Sequence, residues 1–301
     1  MSVSVLGRAA PRFGACVNAM IRAVARTALA ATIVAGAAGL AKAGETVVNL
    51  EGRIVATLNM PDHAAPVPAV LMLHGFGSSR DEVGSLYKRT ATALAMKGIA
   101  SLRIDFLGFG ESAGDSGDIT VNGQLDQAKD AFAFLATYPD VDPKRLGVLG
   151  FSLGGGVATL LASDRPSDVK SLVTWSSVGD FEQDFRTVLG DKAFDRAKED
   201  GIVGLDLGWR TIAIKQAFFD SLNKRKIDDA VANFPGAYLT ITGAKDFSAA
   251  YSERFVGLAK NPTKEVMMIP EGDHIFKSLE KDQSMAQSVI DKTADWFSKT
   301  L

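Results

Sequence analysis

Short apolar segments that favour buried strands alternate with longer amphipathic segments along most of the chain. The strand-like segments are residues 69–73, 99–104, 146–149, 171–175, 237–242 and 265–269. Apolar positions at helical spacing predict helices over residues 81–97, 124–137, 157–162, 251–259 and 284–297. This alternation predicts an α/β fold, in which a mostly parallel sheet is covered by helices on both faces.

Two regions depart from this rhythm. Residues 46–49 and 53–58 alternate apolar and polar positions and predict an antiparallel pair of strands that opens the sheet. Residues 178–234 contain no convincing strand, and their charged, mostly helical texture predicts an insertion after the sixth strand of the series. We expect this insertion to form a helical lid.

Residues 1–43 have the pattern of a targeting segment. A basic stretch over residues 20–26 precedes an apolar run over residues 27–40, and residues 41–43 (AKA) have the A-x-A form of a signal-peptidase site. We therefore expect an export signal that is cleaved after residue 43, and a periplasmic or secreted protein. A retained membrane anchor is the alternative, although the apolar run is short for a bilayer span. Met20 is a second candidate for the start of the protein.

Composition predicts that residues 44–301 form one globular domain. The chain of 301 residues is 47% hydrophobic and 23% charged. Five of the 33 basic residues and none of the 35 acidic residues lie in residues 1–43, so the net charge falls from −2 for the whole chain to −7 for the rest. A mildly acidic protein is a poor candidate for binding nucleic acid. The single cysteine, Cys16, lies in the predicted signal, so residues 44–301 have neither a disulfide nor a thiol nucleophile.

A serine in a glycine-rich turn is the first candidate for chemistry. Residues 146–156 read LGVLGFSLGGG, in which Gly150 and Gly154 flank Ser152 at a spacing of two. An apolar strand before the serine and an apolar helix after it are the context of a nucleophile elbow, which exposes the hydroxyl on a sharp strand-to-helix turn. A glycine turn that only packs the helix on the strand is the alternative interpretation.

A serine hydroxyl needs a base, which is usually an imidazole oriented by a carboxylate. The chain has only three histidines. His63 lies in a proline-rich loop, and His74 ends a predicted strand. His274 follows the last predicted strand, where a loop crosses the carboxyl edge of the sheet. We therefore select His274 as the base.

The acid is expected at the carboxyl end of another strand. Asp246 fits, because it follows the predicted strand 237–242 and a glycine turn. Asp180 and Asp273 are its competitors, although Asp273 adjoins the histidine and has little reach to orient the imidazole from behind. Asp246 also fits the role of a helix N-cap for the segment that follows it.

The chain order Ser152, Asp246, His274 resembles that of the α/β-hydrolases. Three further segments of residues 70–280 add to the resemblance: residues 73–77 (LHGFG), residues 105–112 (DFLGFGES) and residues 271–276 (EGDHIF). The resemblance implies that the backbone amides of Phe76 and Leu153 form an oxyanion hole. It also implies that His74 and Gly75 shape the oxyanion loop and take no part in proton transfer.

Within this superfamily the chain resembles the cinnamoyl or feruloyl esterases and the serine aminopeptidase-like branch, and shares motifs with monoacylglycerol lipases. The resemblance implies a serine carboxylic-ester hydrolase with an acyl-enzyme intermediate, acting on aromatic or short-chain acyl esters. The segment KDFS at residues 245–248 departs from the Asp-x-x-Val or Asp-x-x-Pro pattern usual after the acid. We expect most aromatic residues of the insertion to pack in its own core, and one or two to contact an acyl group. These aromatic residues are Phe181, Phe185, Phe194, Trp209, Phe218, Phe219 and Phe234.

Two functional alternatives remain open. An aminopeptidase or amidase on the same residues would place an acidic side chain of the insertion, such as Asp184 or Asp206, against a substrate amine. A non-catalytic binding protein on a degenerate hydrolase fold is the other.

Nothing in the sequence requires a cofactor. Residues 108–113 match a dinucleotide fingerprint in part, but residues 114–118 (GDSGD) are turn residues and cannot open a helix on a pyrophosphate. No Walker lysine follows a glycine loop, and three scattered histidines do not make a zinc site. We expect no cofactor and no metal, and a small-molecule ester as the substrate. We expect no binding of nucleic acid and no stable membrane insertion after signal cleavage.

Overall fold

The computed structural model describes residues 44–62, 64, 66–208 and 210–301. The export signal expected in residues 1–43 lies outside the described residues, as do His63 and Trp209. All the described residues belong to one compact unit. None of the helices in this part of the chain is long and apolar enough to cross a bilayer.

The described residues form ten strands, in one large sheet and a separate hairpin. The ten strands are β1 (Gly44–Leu50), β2 (Ile54–Met60), β3 (Val67–Leu73), β4 (Ala100–Ile104), β5 (Val141–Phe151), β6 (Val169–Trp175), β7 (Ile202–Asp206), β8 (Thr211–Lys215), β9 (Ala237–Gly243) and β10 (Lys264–Ile269). The eight-stranded sheet has the order β1-β2-β4-β3-β5-β6-β9-β10. From β4 to β10 all neighbouring strands are parallel, whereas β2 is antiparallel to both β1 and β4. The predicted parallel sheet and its antiparallel opening pair are confirmed.

Helices cover both faces of this sheet, as predicted. They are α1 (Leu86–Met96), α2 (Val121–Thr137), α3 (Leu153–Asp164), α4 (Phe181–Leu189), α5 (Asp191–Asp200), α6 (Gln216–Ser221), α7 (Ile227–Asn233), α8 (Ala249–Leu258) and α9 (Ser284–Thr300). Strand β3 shows why two cores form. Its Leu71 and Leu73 pack in the core with α2, α3 and α7, whereas Val70 and Met72 pack in the core with α1 and α9. The period of two along a buried strand thus supplies both cores from one apolar segment.

The insertion between β6 and β9 differs from its prediction. Residues 178–234 were expected to contain no strand, but β7 and β8 pair as an antiparallel hairpin within them. Both strands alternate exposed and buried residues, which is the pattern of a half-buried strand. The prediction that this segment contains no strand is therefore wrong, whereas its mostly helical character agrees with α4 to α7. Its function as a lid stays a prediction.

The first helix also begins later than predicted. Residues 81–85 do not join α1, because Glu82, Gly84 and Ser85 all have positive φ angles and a short 3₁₀ turn occupies residues 83–85. Left-handed backbone cannot continue a right-handed helix. This turn brings Glu82 back towards Gly75, where its carboxylate has a structural role described below.

The close packing of α3 against β5 and the end of β3 depends on two glycines. A Cβ atom added to Gly150 would lie 2.2 Å from the carbonyl oxygen of Gly154, and one added to Gly154 would lie 2.2 Å from the carbonyl oxygen of Leu73. Ser152, between them, has φ 53° and ψ −119°. Such a backbone conformation costs a non-glycine residue about 1–3 kcal/mol. The glycines thus provide close packing of backbone on backbone, while the serine takes the strained position of the turn.

His74 lies under the loop that follows β3 and is fully buried. The Phe106 amide donates to its Nε2 at 3.0 Å, so Nδ1 carries the proton and donates to the Gly75 carbonyl oxygen at 2.8 Å. Burial lowers the pKa of His74 to about 4, against the opposing effects of the Gly75 hydrogen bond and of the nearby Asp105 carboxylate. The ring is therefore neutral and joins the loop after β3 to the loop after β4.

Replacement of Gly154 tests the close packing of α3 against β5 and the end of β3. We expect Gly154→Ala to lower the free energy of unfolding by at least about 2 kcal/mol, because two carbonyl oxygens must move. Gly257→Ala in α8 is the matched control, since an added Cβ there meets nothing within 4 Å. The control should be neutral or stabilising by up to about 1 kcal/mol. Equal effects of the two substitutions in urea unfolding would contradict this packing.

The buried imidazole predicts a component of pH-dependent stability. Its pKa is lowered on folding, so the stabilisation is present above the unfolded pKa of about 6.5 and is lost as the pH falls towards 4. This component amounts to about 3 kcal/mol at most. We expect His74→Gln to be less stable than the wild type at pH 7 and to lose less stability between pH 7 and pH 4. Parallel unfolding free-energy curves for the two proteins across this range would show that His74 does not titrate as described.

Candidate active site

Ser152 lies at the carboxyl edge of the sheet, at the start of α3. Its amide donates to the Trp175 carbonyl oxygen at 2.9 Å, which ties the turn to β6. Its own carbonyl oxygen accepts from Gly155 N at 3.0 Å, so the helix begins immediately after the serine. The hydroxyl is left to the solvent side, where it meets the imidazole of His274.

His274 Nε2 lies 3.1 Å from Ser152 Oγ. The histidine is on the loop after β10, whose Phe276 is fully buried and packs edge-on to Trp175 with ring centroids 6.1 Å apart. The imidazole itself lies between two rings, with Phe247 stacked at 5.3 Å and Phe151 tilted at 5.1 Å between centroids. These contacts hold the ring at the serine while a third of its side chain stays accessible.

The second nitrogen of the imidazole meets Asp246. His274 Nδ1 lies 3.0 Å from Asp246 Oδ1, and the carboxylate is 3% exposed. The Ser248 hydroxyl donates to the other carboxylate oxygen of Asp246. Helix α8 begins at Ala249 with Ser248 as its N-cap residue, so the carboxylate of Asp246 binds the histidine and does not cap the helix.

Neither competing acid contacts the imidazole. Asp180 caps α4, where its Oδ1 accepts from Gln183 N at 3.0 Å. Asp273 shapes the histidine loop, because its Oδ1 accepts from Lys277 N at 2.8 Å. The structure therefore brings together Ser152, His274 and Asp246, and leaves the other two acids in local turns.

The two backbone amides expected at an oxyanion hole flank the serine. Leu153 is the first residue of α3, where helix amides lack intrahelical acceptors and the helix dipole is positive. Phe76 lies on the loop after β3, and a Cβ atom on the adjacent Gly75 would come within 3.3 Å of Ser152 Cβ. Within the part of the chain that the structure describes, neither amide donates to a protein acceptor. Both are thus available to a developing negative charge.

A buried carboxylate supports this loop, and sequence reasoning missed it. Glu82 accepts hydrogen bonds from the Gly75 amide, from the Ser78 hydroxyl at 2.9 Å and from its neighbour Val83 N at 2.8 Å. Burial raises its pKa, and the hydrogen bonds from Gly75 and Val83 act in the opposite direction. Glu82 lay in a polar segment assigned to a helix, and no local signal distinguished it from a solvated acid.

A cavity of about 770 Å³ opens beside Ser152. Its wall is largely apolar and includes Phe76, Phe151 and Phe247 from the sheet side and Phe185, Val188 and Leu207 from the insertion. Of the insertion aromatics singled out in the sequence, Phe185 lines the cavity. The others within the described residues, Phe181, Phe194, Phe218, Phe219 and Phe234, pack in the core.

The two insertion acids considered for an aminopeptidase have other partners. Asp184 is 3% exposed, and it accepts from Gly179 N at 2.7 Å, from Asp180 N at 3.1 Å and from the Tyr251 hydroxyl at 2.6 Å. Asp206 ends β7 with its side chain on the exposed face and accepts from Gly208 N at 2.9 Å. Burial raises the pKa of Asp184, although these hydrogen bonds favour its charged form.

No group of three or more His, Cys, Asp or Glu side chains suited to a metal ion occurs among the described residues.

The loop over residues 105–112 has a structural role. The fully buried Asp105 accepts from Arg80 N at 2.6 Å and from Glu111 N at 2.9 Å, and a Cβ on Gly110 would lie 2.2 Å from its carboxyl group.

Comparison with known proteins gives one match to a family model, described as serine aminopeptidase S33, over residues 64–197. Among curated proteins, the chain is 32% identical over 97 residues to polyketide transferase ATR5 of Stachybotrys chlorohalonatus, covering 32% of each protein. It is 32% identical over 113 residues to acyl-coenzyme A thioesterase 3 of Mus musculus, covering 38% of this chain and 24% of the thioesterase. The chain thus spans a third or less of these relatives.

A solved structure resembles nearly all of the described chain. Est1E from Butyrivibrio proteoclasticus with bound ferulic acid has a TM-score of 0.71 and 20% identity, covering 85% of this chain and 98% of that one. At this identity the likeness establishes the fold alone. Taken with the sheet order, it shows that the chain has an α/β-hydrolase fold.

Proposed function

We propose that the protein is a serine hydrolase that cleaves esters or thioesters through an acyl-enzyme on Ser152. The observation that carries the proposal is the continuous chain of contacts from Ser152 Oγ through His274 to the buried Asp246, at the mouth of an apolar cavity. The resemblance to a thioesterase over part of the chain supports thioesters as well as esters.

In the proposed reaction, Ser152 Oγ attacks the acyl carbon while His274 Nε2 accepts the hydroxyl proton. The amides of Phe76 and Leu153 donate to the oxyanion of the tetrahedral intermediate. The bond to the leaving oxygen or sulfur then breaks, and His274 returns the proton to that atom. Water then attacks the acyl-enzyme in the same way, which releases the acid and restores the Ser152 hydroxyl. Asp246 keeps the imidazole in the tautomer that the reaction needs.

For the substrate, we propose carboxylic esters with aromatic or short-chain acyl groups. An apolar cavity of about 770 Å³ holds a group of that size, and the aromatic side chains of Phe185 and Phe247 line it. An aminopeptidase is less well supported, because each carboxylate that lines the cavity already accepts hydrogen bonds from protein groups. No carboxylate among the described residues of the cavity is left for a substrate amine.

Labelling of the nucleophile tests the proposal. We expect a fluorophosphonate to modify Ser152, identified by peptide mass spectrometry, and Ser152→Ala to abolish labelling and lower kcat by about 10⁴-fold or more. Ser79→Ala is the matched control, because Ser79 lines the same cavity. Turnover of 4-nitrophenyl butyrate, methyl ferulate and a butyryl thioester should exceed that of leucine 4-nitroanilide. Modification of another serine would refute the assignment, and absence of all turnover would favour a binding protein.

Three aspartates allow a test of the acid. We expect Asp246→Asn to lower kcat by about 10³–10⁴-fold with little change in KM, because the amide no longer holds the reactive tautomer. Asp180→Asn and Asp273→Asn should stay within about threefold of the wild type, since asparagine also caps helices and turns. A large loss in Asp180→Asn with a small one in Asp246→Asn would reverse the assignment.

A further inference from the structure

Among the described residues, five ionisable side chains line the cavity beside Ser152, and one of them is a cation that has no partner in this part of the chain. Glu82, Asp184, Asp246 and His274 all have protein hydrogen-bond partners, as described above. The fifth, Arg210, is the only lysine or arginine among the described residues of the lining. No acceptor within the described part of the chain lies within hydrogen-bond or ion-pair distance of its guanidinium. Its five N–H donors are therefore available to a ligand.

Arg210 is held at this position by the hairpin and by an aromatic ring. Leu207 N donates to the Arg210 carbonyl oxygen at 2.9 Å, which closes the turn between β7 and β8. The guanidinium carbon lies 5.8 Å from the centroid of the Phe109 ring, and that ring packs edge-on to the buried His74 at 5.7 Å. Stacking on an aromatic ring orders a guanidinium while its edge keeps the N–H groups that bind carboxylate or phosphate.

The three carboxylates of the cavity do not prevent Arg210 from attracting an anion. Their oxygens accept from backbone amides, hydroxyl groups or the imidazole, so each carboxylate already has short-range hydrogen-bond partners and does not pair with Arg210. A substrate anion that reaches Arg210 gains a charge-assisted pair beside an apolar wall, where water competes weakly. A neutral substrate of the same shape leaves the guanidinium unpaired.

On the basis of the proposed function, we propose that Arg210 selects esters or thioesters that carry a carboxylate or phosphate group. The anion belongs either to the acyl part or to the leaving group, and both share the same recognition chemistry. Arg210 thus acts as a specificity-determining residue that contacts the substrate away from the bond that breaks.

Matched substrates separate the two sources of the anion. On the acyl side, mono(4-nitrophenyl) adipate is compared with 4-nitrophenyl hexanoate, which has the same chain length without the charge. On the leaving-group side, 4-carboxyphenyl hexanoate is compared with its methyl ester. We expect the wild type to prefer the charged member of one pair, and added salt to reduce that preference.

Variants of Arg210 test whether it is the source of the preference. We expect Arg210→Gln to lower kcat/KM for the preferred anionic ester by about 10–100-fold, mainly through KM, and to leave the neutral ester within threefold. Arg210→Lys should recover part of the loss. Arg196→Gln is the matched control, because Arg196 in α5 is 66% exposed and pairs with Asp200. Equal losses for the charged and neutral esters, or no loss in either pair, would overturn the proposal.

Binding to a protein that cannot turn over keeps this test separate from the proposed function. In the Ser152→Ala background, calorimetry with the same two pairs should show tighter binding of the charged member of one pair, and adding Arg210→Gln should weaken that binding by at least tenfold. A charge preference in binding without turnover in the wild type would support Arg210 and refute the hydrolase. Turnover without any charge preference would support the hydrolase and refute the role of Arg210.

Discussion

The close packing of α3 against β5 and the end of β3, at Ser152, is the constraint on which the rest of the site depends. Backbone packs on backbone at Gly150 and Gly154, where a Cβ atom would come within 2.2 Å of a carbonyl oxygen. This proximity forces the residue between them into a positive φ angle, and the strain exposes the serine hydroxyl at the sheet edge. The same turn places the Leu153 amide, the first of α3, beside the hydroxyl, so the proposed nucleophile and one proposed oxyanion donor come from one local structure.

Buried polar groups around the serine divide into two kinds. His74, Glu82 and Asp105 form most of their hydrogen bonds with backbone groups and thereby fix the loops after β3 and β4. His274 instead keeps Nε2 for the serine, because Asp246 occupies only its other nitrogen. The two kinds differ in their hydrogen-bond partners. A group whose donors and acceptors all have partners in the loops holds those loops, whereas a group with one nitrogen facing the serine can exchange a proton.

The insertion supplies much of the cavity wall without adding a strand to the main sheet. Its helices bury most of their aromatic rings in the core, and its hairpin brings Leu207 and Arg210 to the cavity. The proposed reacting residues lie on loops that the sheet positions, while the wall facing them comes from the segment whose structure was hardest to predict. In the proposed function, chemistry and selectivity therefore depend on different parts of the chain.

Much of the architecture followed from the sequence because its signals are local. Short apolar segments predicted the strands, GFSLG predicted the turn at Ser152, and the scarcity of histidine together with the chain order selected His274 and Asp246. The hairpin over residues 202–215 was missed, because the alternation in two five-residue strands is weak beside strongly charged helices. The late start of α1 was also missed, since the positive φ angles of Glu82 and Ser85 are stabilised by contacts that the local sequence does not show.

The sequence by itself determined the order of the elements, the strained serine turn and the residues that end at one edge of the sheet. Only the tertiary structure decided which of the polar residues are saturated and which are left open: Glu82 and Asp184 on one side, His274 and Arg210 on the other. That distinction depends on partners that lie far apart in the chain, such as Ser152 and His274 or Asp184 and Tyr251. Local periodicity reports which face of an element is buried, but the hydrogen-bond partner of a buried polar group is set by packing between elements.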